Sequence, residues 1–276
     1  MSKKFFLVGM ILLAGIQTNA QFWEFGGMLG ASNYHGDLAY QIVPKETHFS
    51  GGILMRYNFN PYWSYRPSIV YGKISGNDAN FKEMAIRNLS FESNIWEINN
   101  ALEFNFLPFG SQVLSKNFTS YATLGIAVFR HSPYAIFRDE KYQLRSLRTE
   151  GQSSKTEYGL LQLAIPFGGG VKYNLNKNLV VGFEVLWRKT FTDYLDDVST
   201  LYPDLKTQAA NNGTLSAQLS DRSWEANGVG EPLSKAGDER GDPSIKDFYF
   251  TAGVTVAYRL TPIRCWPKYK KPINWK

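Results

Sequence analysis

A chain of 276 residues with 30 basic and 24 acidic side chains carries a formal charge of +6. That excess is mild, and no basic stripe with interleaved aromatics marks a nucleic-acid surface. The single cysteine, Cys265, excludes an internal disulfide and any zinc or cysteine framework, while 16 Tyr, 19 Phe, 7 Trp and 24 Gly favour strands and turns over helices.

Residues 1–20 read as a secretory signal peptide. Lys3 and Lys4 precede an apolar stretch from Phe5 to Ile16, and Thr18-Asn19-Ala20 offers small residues for cleavage. The stretch is too short and wrongly flanked to span a membrane as a helix. No cysteine stands at the cleavage point, which argues against an N-terminal lipid anchor. Beyond Gln21 no helix-length apolar run remains, so any membrane crossing must be made by strands.

Strict apolar/polar alternation then recurs eight times, the pattern of two-faced strands. The first, Trp23 to Tyr34, sets Trp23, Phe25 and Leu29 against Glu24, Gly26 and Gly30. The second, about Ser50 to Phe59, sets Ile53, Met55 and Tyr57 against Gly52, Arg56 and Asn58. After Asn60-Pro61, a third opposes Trp63, Tyr65, Ile69 and Tyr71 to Ser64, Arg66 and Ser68. The fourth, Ser93 to Phe106, carries Trp96, Ile98 and Leu102 opposite Glu97, Asn99 and Glu103. The fifth, Ser120 to Arg130, sets Leu124, Ile126 and Val128 against Tyr121 and Thr123, and the sixth, Leu161 to Leu175, sets Leu163, Phe167 and Val171 against Lys172 and Asn174. The seventh, from Leu179, opposes Phe183 and Trp187 to Glu184 and Arg188, and the eighth, Asp247 to Leu260, opposes Val254, Val256 and Tyr258 to Thr251, Gly253 and Arg259.

The connections alternate in length, short between strands two and three, four and five, six and seven, and longer elsewhere. The longest, about 199–246, is polar, rich in Gly, Asn and Ser, and expected to be mobile. This is the plan of an all-β, eight-stranded antiparallel up-and-down transmembrane barrel over 21–261, with a tail at 262–276. A soluble barrel would place the apolar face inside. An eight-stranded interior has room for side chains or one small ligand, and these bulky aromatic faces would overfill it. The polar faces fit. They carry Glu24, Glu97, Glu103 and Glu184 against Arg56, Arg66, Lys172, Arg188 and Arg259, a near-balanced set expected to form a packed polar lumen. Thr251-x-Gly253-x-x-Val256-x-Tyr258 in the last strand also matches the signal by which outer-membrane barrels are recognised for assembly, although the chain does not end there.

Residues capable of chemistry are few. His35, His48 and His131 are the only histidines. His131 and Ser132 are adjacent and so fall on opposite faces of a strand, His35 lies two residues before Asp37, and no nucleophile is identifiable beside either. Glu97 and Glu103 share a face, but a rise of about 3.3 Å per residue separates them by roughly 20 Å. Asp193, Asp196 and Asp197 lack the spacing of a calcium loop and read as a solvated loop shoulder. Arg240-Gly241-Asp242 matches an adhesion tripeptide by chance more readily than by design. No catalytic, cofactor or metal site emerges. In the tail, the odd Cys265 would lie near the membrane surface in an oxidising compartment, open to an intermolecular disulfide.

"WEFGGMLGASNYHGDL", "YRPSIVYGKISGND", "RNLSFESNIWEINNALEFNF" and "FTDYLDDVS", followed by the closing strand and the cysteine beyond it, resemble in this order the PorG family. The resemblance spans nearly the whole mature chain except the long seventh loop. It implies a non-catalytic outer-membrane barrel of the Bacteroidetes type IX secretion apparatus, which serves protein export, gliding motility or both. Its partners would be outer-membrane lipids and a periplasmic ring of a PorK/GldK-like lipoprotein and a PorN/GldN-like protein. Cys265, Lys268, Lys270 and Lys271 are the expected partner contacts, although the family does not assign those roles residue by residue. A free-standing small barrel acting in adhesion or envelope structure through its external loops is the competing reading.

Overall fold

The computed structural model describes residues 22–110 and 116–260. The expected leader and the tail bearing Cys265, Lys268, Lys270 and Lys271 lie outside the described residues. The strands are β1 (Phe22–His35), β2 (His48–Asn58), β3 (Trp63–Asn77), β4 (Ser90–Asn105), β5 (Phe118–Arg130), β6 (Pro133–Phe137), β7 (Glu140–Gln143), β8 (Leu161–Asn174), β9 (Leu179–Thr190) and β10 (Phe248–Arg259). Short helices α1 (Leu144–Leu147), α2 (Leu205–Asn212), α3 (Thr214–Ser220) and α4 (Ser223–Ala226) lie in the loops.

Eight of the strands close into an antiparallel barrel, and they are the eight read from the alternation. Sequential partners pair around the ring, β5 reaches β8 past the β6–β7 hairpin, and β1 meets β10 from Glu24↔Arg259 to His35↔Phe248. The hairpin hangs from the top of β4 through Glu92↔Tyr134 and Ser93↔Pro133. No helix among the described residues is long and apolar enough to cross a membrane.

The two faces invert the usual partition of a folded protein. Leu29, Ile53 and Ile126 are 65%, 65% and 66% exposed, whereas Arg56, Arg66, Arg188 and Arg259 are at 2% or less. A continuous exposed apolar belt on this scale has lipid as its solvent. Aromatic pairs crowd the short-turn end, Trp23 against Tyr57 at 4.5 Å and Trp63 against Phe104 at 4.9 Å. They form one girdle of the belt.

Two tight turns at that end share one device. Asn60 Oδ1 accepts from the amides of Tyr62 and Trp63, and Asn176 Oδ1 from those of Asn178 and Leu179. Each asparagine thereby mimics a backbone turn. The β4–β5 connection, 106–117, departs from the expected short turn. Its Phe109 donates its amide to Pro61 O at 3.0 Å and packs with Leu54, Val180 and Ala257. Lys172 and Arg259 lie over the Phe109 ring at 5.7 and 5.4 Å, so this residue forms a floor under the lumen.

Closure brings Gly30 directly opposite Gly253. A Cβ at Gly30 would fall on the Ala252 carbonyl oxygen and 2.5 Å from Gly253 Cα, so the seam needs glycine there. Gly30→Val should destabilise the barrel in lipid vesicles by an overpacking cost of roughly 1–3 kcal/mol, read as a lower urea midpoint. The lipid-facing Ala31→Val should leave it unchanged, and a Gly30→Val midpoint equal to wild type would show that the seam tolerates a side chain.

Candidate functional site

All nine charged residues expected in the lumen point inward and are buried. Seven form one network near the floor. Glu24 accepts from Arg56 Nη1 at 2.6 Å and from Arg259 Nε at 2.8 Å. Glu103 faces Arg56 Nε at 2.7 Å, Lys172 Nζ at 2.7 Å and Arg66 Nη1 at 3.1 Å. Arg66 continues to Glu184 at 2.5 Å, which also takes the Tyr121 hydroxyl at 2.6 Å. The other two form a separate group higher up. Arg188 Nε meets Glu97 at 3.0 Å, Tyr249 donates to the same carboxylate at 2.7 Å, and Arg188 also reaches Thr251 and Leu186 O. Glu97 and Glu103 thus belong to different clusters, as their spacing on one strand requires.

Charges withdrawn from water cost several kcal/mol each unless they are paired and fully hydrogen-bonded. Here every carboxylate has at least one cation and most have a second donor. The gap between Met28, Arg66, Glu184 and Arg188 measures about 10 Å³, no more than the space of one water. The lumen is therefore filled by its own side chains and offers no path for solute at this level.

Above the charges the filling turns apolar and then acidic. Tyr34, Leu38, Ile74, Phe91, Phe129 and Leu195 form a buried core at the long-loop end, with Tyr34 edge-on to Phe91 at 4.8 Å. The Tyr34 hydroxyl lies 2.6 Å from Asp196 Oδ2 and 2.8 Å from Asp247 Oδ1. A hydroxyl has one proton to donate, so the second contact requires a protonated carboxyl. Burial, reinforced by the neighbouring charge of Asp247, holds Asp196 well above the usual carboxylate range, and burial first does the same for Asp247.

The four long loops meet around this point. Asp247 Oδ2 takes the Leu195 amide at 2.9 Å and Asp196 Oδ1 takes the Val198 amide at 2.9 Å. Arg87 grips both oxygens of Asp78 at 2.7 Å and donates to the carbonyls of Asp37 and Arg240. Arg240 pairs with Glu150 at 2.9 Å, and Glu150 accepts the amides of Ser199 and Thr200. Burial pushes Asp37 and Asp197 up to about 6.

Two sequence readings are corrected here, the solvated acidic shoulder and the mobile loop, while the chance reading of Arg240-Gly241-Asp242 stands. Asp193, Asp196 and Asp197 are not a solvated shoulder; they are 3%, 1% and 0% exposed, because Ser199, Tyr34, Tyr158 and Thr149 supply their hydrogen bonds. Arg240 is buried, so the Arg-Gly-Asp tripeptide presents no free guanidinium. The loop 199–246 is folded. Asp204 caps α2 by accepting the Thr207 amide at 2.7 Å, Gly213 at φ +94° separates α2 from α3, and Gln208 donates to Arg148 O at 2.6 Å.

The histidines are placed as follows. His131 is buried, stacked on Tyr158 and 3.3 Å from Gly159 O, while Ser132 bonds Gln143 instead. His35 is exposed and lies edge-on to Phe248. His48 Nε2 is 2.7 Å from Ser75 Oγ, a contact that sequence spacing did not reveal, and Ser75 also bonds Glu46. The acid therefore sits on the serine and not behind the histidine, so the relay of a hydrolytic triad is not assembled. No three His, Cys, Asp or Glu among the described residues are arranged to hold a metal. Of the proposed assembly signal, Thr251 and Gly253 face the lumen and Val256 and Tyr258 face outward.

An outward apolar belt around a filled polar lumen defines a small outer-membrane-type β-barrel. The chain belongs to the family described as "Domain of unknown function (DUF6089)", whose model matches residues 3–212. No curated protein matches it. Similar solved structures include Ail, the attachment invasion locus protein of Yersinia pestis, at 11% identity and TM-score 0.41, covering 87% of this chain and 99% of that one. Neisserial surface protein A, at 10% and 0.42, covers 86% and 96%. OprG from Pseudomonas aeruginosa, at 8% and 0.43, covers 88% and 97%.

Two outcomes follow from the geometry. Glu103→Gln strips Lys172 of its ion-pair partner and takes the second carboxylate from Arg56 and Arg66, so it should destabilise the folded barrel by about 3–5 kcal/mol in vesicles. Adding Lys172→Met should restore part of that loss, and a Glu103→Gln barrel of wild-type stability would mean that the network is hydrated. The second outcome concerns pH. A carboxyl kept protonated by the fold stabilises it at low pH, and that contribution is lost as pH rises through the raised folded value. The loss should begin above the ordinary Asp value of about 3.9 and pass through the region near 6 set by Asp37 and Asp197. Proteolysis of the 199–246 loop should therefore accelerate as pH rises. Asp247→Asn, which can still bond Tyr34 and Leu195 without titrating, should flatten that dependence; an unchanged profile would remove the shared proton as its cause.

Proposed function

We propose that this barrel is a non-catalytic component of a type IX protein secretion apparatus, seated in the outer membrane with its long loops outside. In that role it ties a periplasmic ring, made of a PorK/GldK-like lipoprotein and a PorN/GldN-like partner, to the membrane. One observation carries the reading. The four separate segments that resemble the PorG family meet in one place, at the long-loop end: Tyr34, Asp78, Arg87 and Asp196 come from each in turn, with Tyr34 bonded to Asp196 and Arg87 bonded to Asp78 and to the Asp37 carbonyl. Amphipathic strands alone would resemble one another without such joint contacts. The filled lumen is consistent with an anchor and not with a conduit.

The folded outer loops favour a second reading, a free-standing barrel that acts through its external surface. The two differ in which end is needed. Deleting the gene should leave type IX cargo in the periplasm with the outer membrane intact. In the restored strain, reversing Lys268, Lys270 and Lys271 to Glu should release the ring from the barrel, and Cys265→Ser should remove any mixed disulfide seen on non-reducing gels. Normal cargo export after deletion would transfer the function to the external loops.

A further inference from the structure

The lipid-facing wall carries a groove. Gly27 of β1 and Gly51 of β2 both point outward, where their cross-strand neighbours on the same face are Ile53, Val256, Leu29 and Tyr71. Register places Gly27 beside Ile53 and Leu29 beside Gly51, so the two missing side chains are neighbours. They floor a trough of about 600 Å³ that is also lined by Phe49, Ile53, Tyr71, Trp96 and Val254.

Its upper end is charged. Lys73 stands on the same face two residues beyond Tyr71, towards the long loops, and Arg130 pairs in register with Trp96. Lys73 is joined to Glu92 at 2.7 Å. Arg130 is exposed and has no carboxylate partner among the described residues. The rim over the groove therefore keeps an excess positive charge above an apolar slot, the complement of an anionic head on a hydrocarbon chain. Such juxtamembrane cations contribute about 1 kcal/mol each towards anionic lipid.

We propose that this groove seats an acyl chain of a phosphorylated glycolipid of the outer leaflet, with its phosphate against Arg130 and Lys73. The site rests on the outer-membrane placement above and not on a secretion role. The leaflet follows from the geometry, because the cations lie at the long-loop end of the slot and the opposite end is apolar.

The test is native mass spectrometry of the full-chain protein in detergent micelles, titrated with bis-phosphorylated lipid A, phosphatidylglycerol or phosphatidylcholine. A one-to-one lipid A adduct should persist at concentrations about tenfold below those needed for phosphatidylglycerol. Arg130→Glu should weaken it by about tenfold. Gly51→Leu should fill the slot with a comparable loss; its Cβ meets the side-chain tips of Phe49 and Leu29 at 3.2 and 3.3 Å and the Met28 carbonyl oxygen at 3.3 Å, all contacts above 3.0 Å that a small shift relieves. The shift between heated and unheated samples on gels checks that both variants fold. Equal retention of phosphatidylglycerol would reduce the site to general anionic-lipid contact and overturn the glycolipid assignment. Dimer masses in place of adducts would assign the groove to a second copy, and adducts unaffected by either substitution would place the lipid elsewhere.

Discussion

A ring of eight strands encloses too little space for water to solvate ions, yet a lipid exterior forces the polar face of every strand into that space. The conflict is resolved at Glu103, whose carboxylate faces Arg56, Arg66 and Lys172 from three other strands. From there the pairing passes through Arg56 to Glu24 and Arg259, and through Arg66 to Glu184 and Tyr121. These contacts run across the barrel and not only along the wall. The ring is thus cross-braced by charges paired with one another across strands, and a slip of register by one residue would turn them into lipid.

The filling changes character with height because the surroundings do. Near the floor the pairs are sealed by Phe109, which covers Lys172 and Arg259 with an aromatic face. Higher up, Phe129, Tyr249 and Tyr34 replace charges with rings, and the strand ends pass into loops that must be held without lipid. There the chain uses buried acids as hydrogen-bond acceptors for loop amides, as Asp247 does for Leu195 and Glu150 for Ser199. Acceptors of this kind fix loops whose apolar content is too low for a core of their own. The accompanying charge is handled by Arg87 and Arg240, and at Asp196 and Asp247 by a proton.

The strands and their faces were legible in the sequence because alternation is local: Val254, Val256 and Tyr258 against Thr251, Gly253 and Arg259 need no knowledge of neighbours. The lumen charges followed from the same rule. Their partition into two clusters did not, since it depends on which strands face each other across the ring. The composition of loop 199–246 points to a mobile segment, and its anchoring by Arg240 and Gln208 to Glu150 and Arg148 is visible only in the fold. Tyr34 and Asp196 are 162 positions apart, and nothing near either announces the other. The groove escaped for a related reason: Gly27 and Gly51 are ordinary strand glycines until register makes them adjacent.

A barrel filled in this way can act only through its two ends and its wall, and the way β10 is held bears on the lower end. Its last inward side chain, Arg259, is bonded to Glu24 at 2.8 Å, its amide to Asn178 O at 2.6 Å, and the Leu260 amide to Trp23 O at 2.8 Å. Any load on the segment that follows Leu260 in sequence is therefore delivered along a strand laced on both sides, to β1 from Glu24↔Arg259 upward and to β9 from Leu179↔Tyr258 upward. Pulling along a strand loads many ladder bonds in parallel, whereas pulling across it would open them one at a time. The same load enters the lumen through Arg259 and Glu24 and is shared with Arg56 and Glu103. An attachment made beyond that strand would thus be resisted by the whole cross-braced ring.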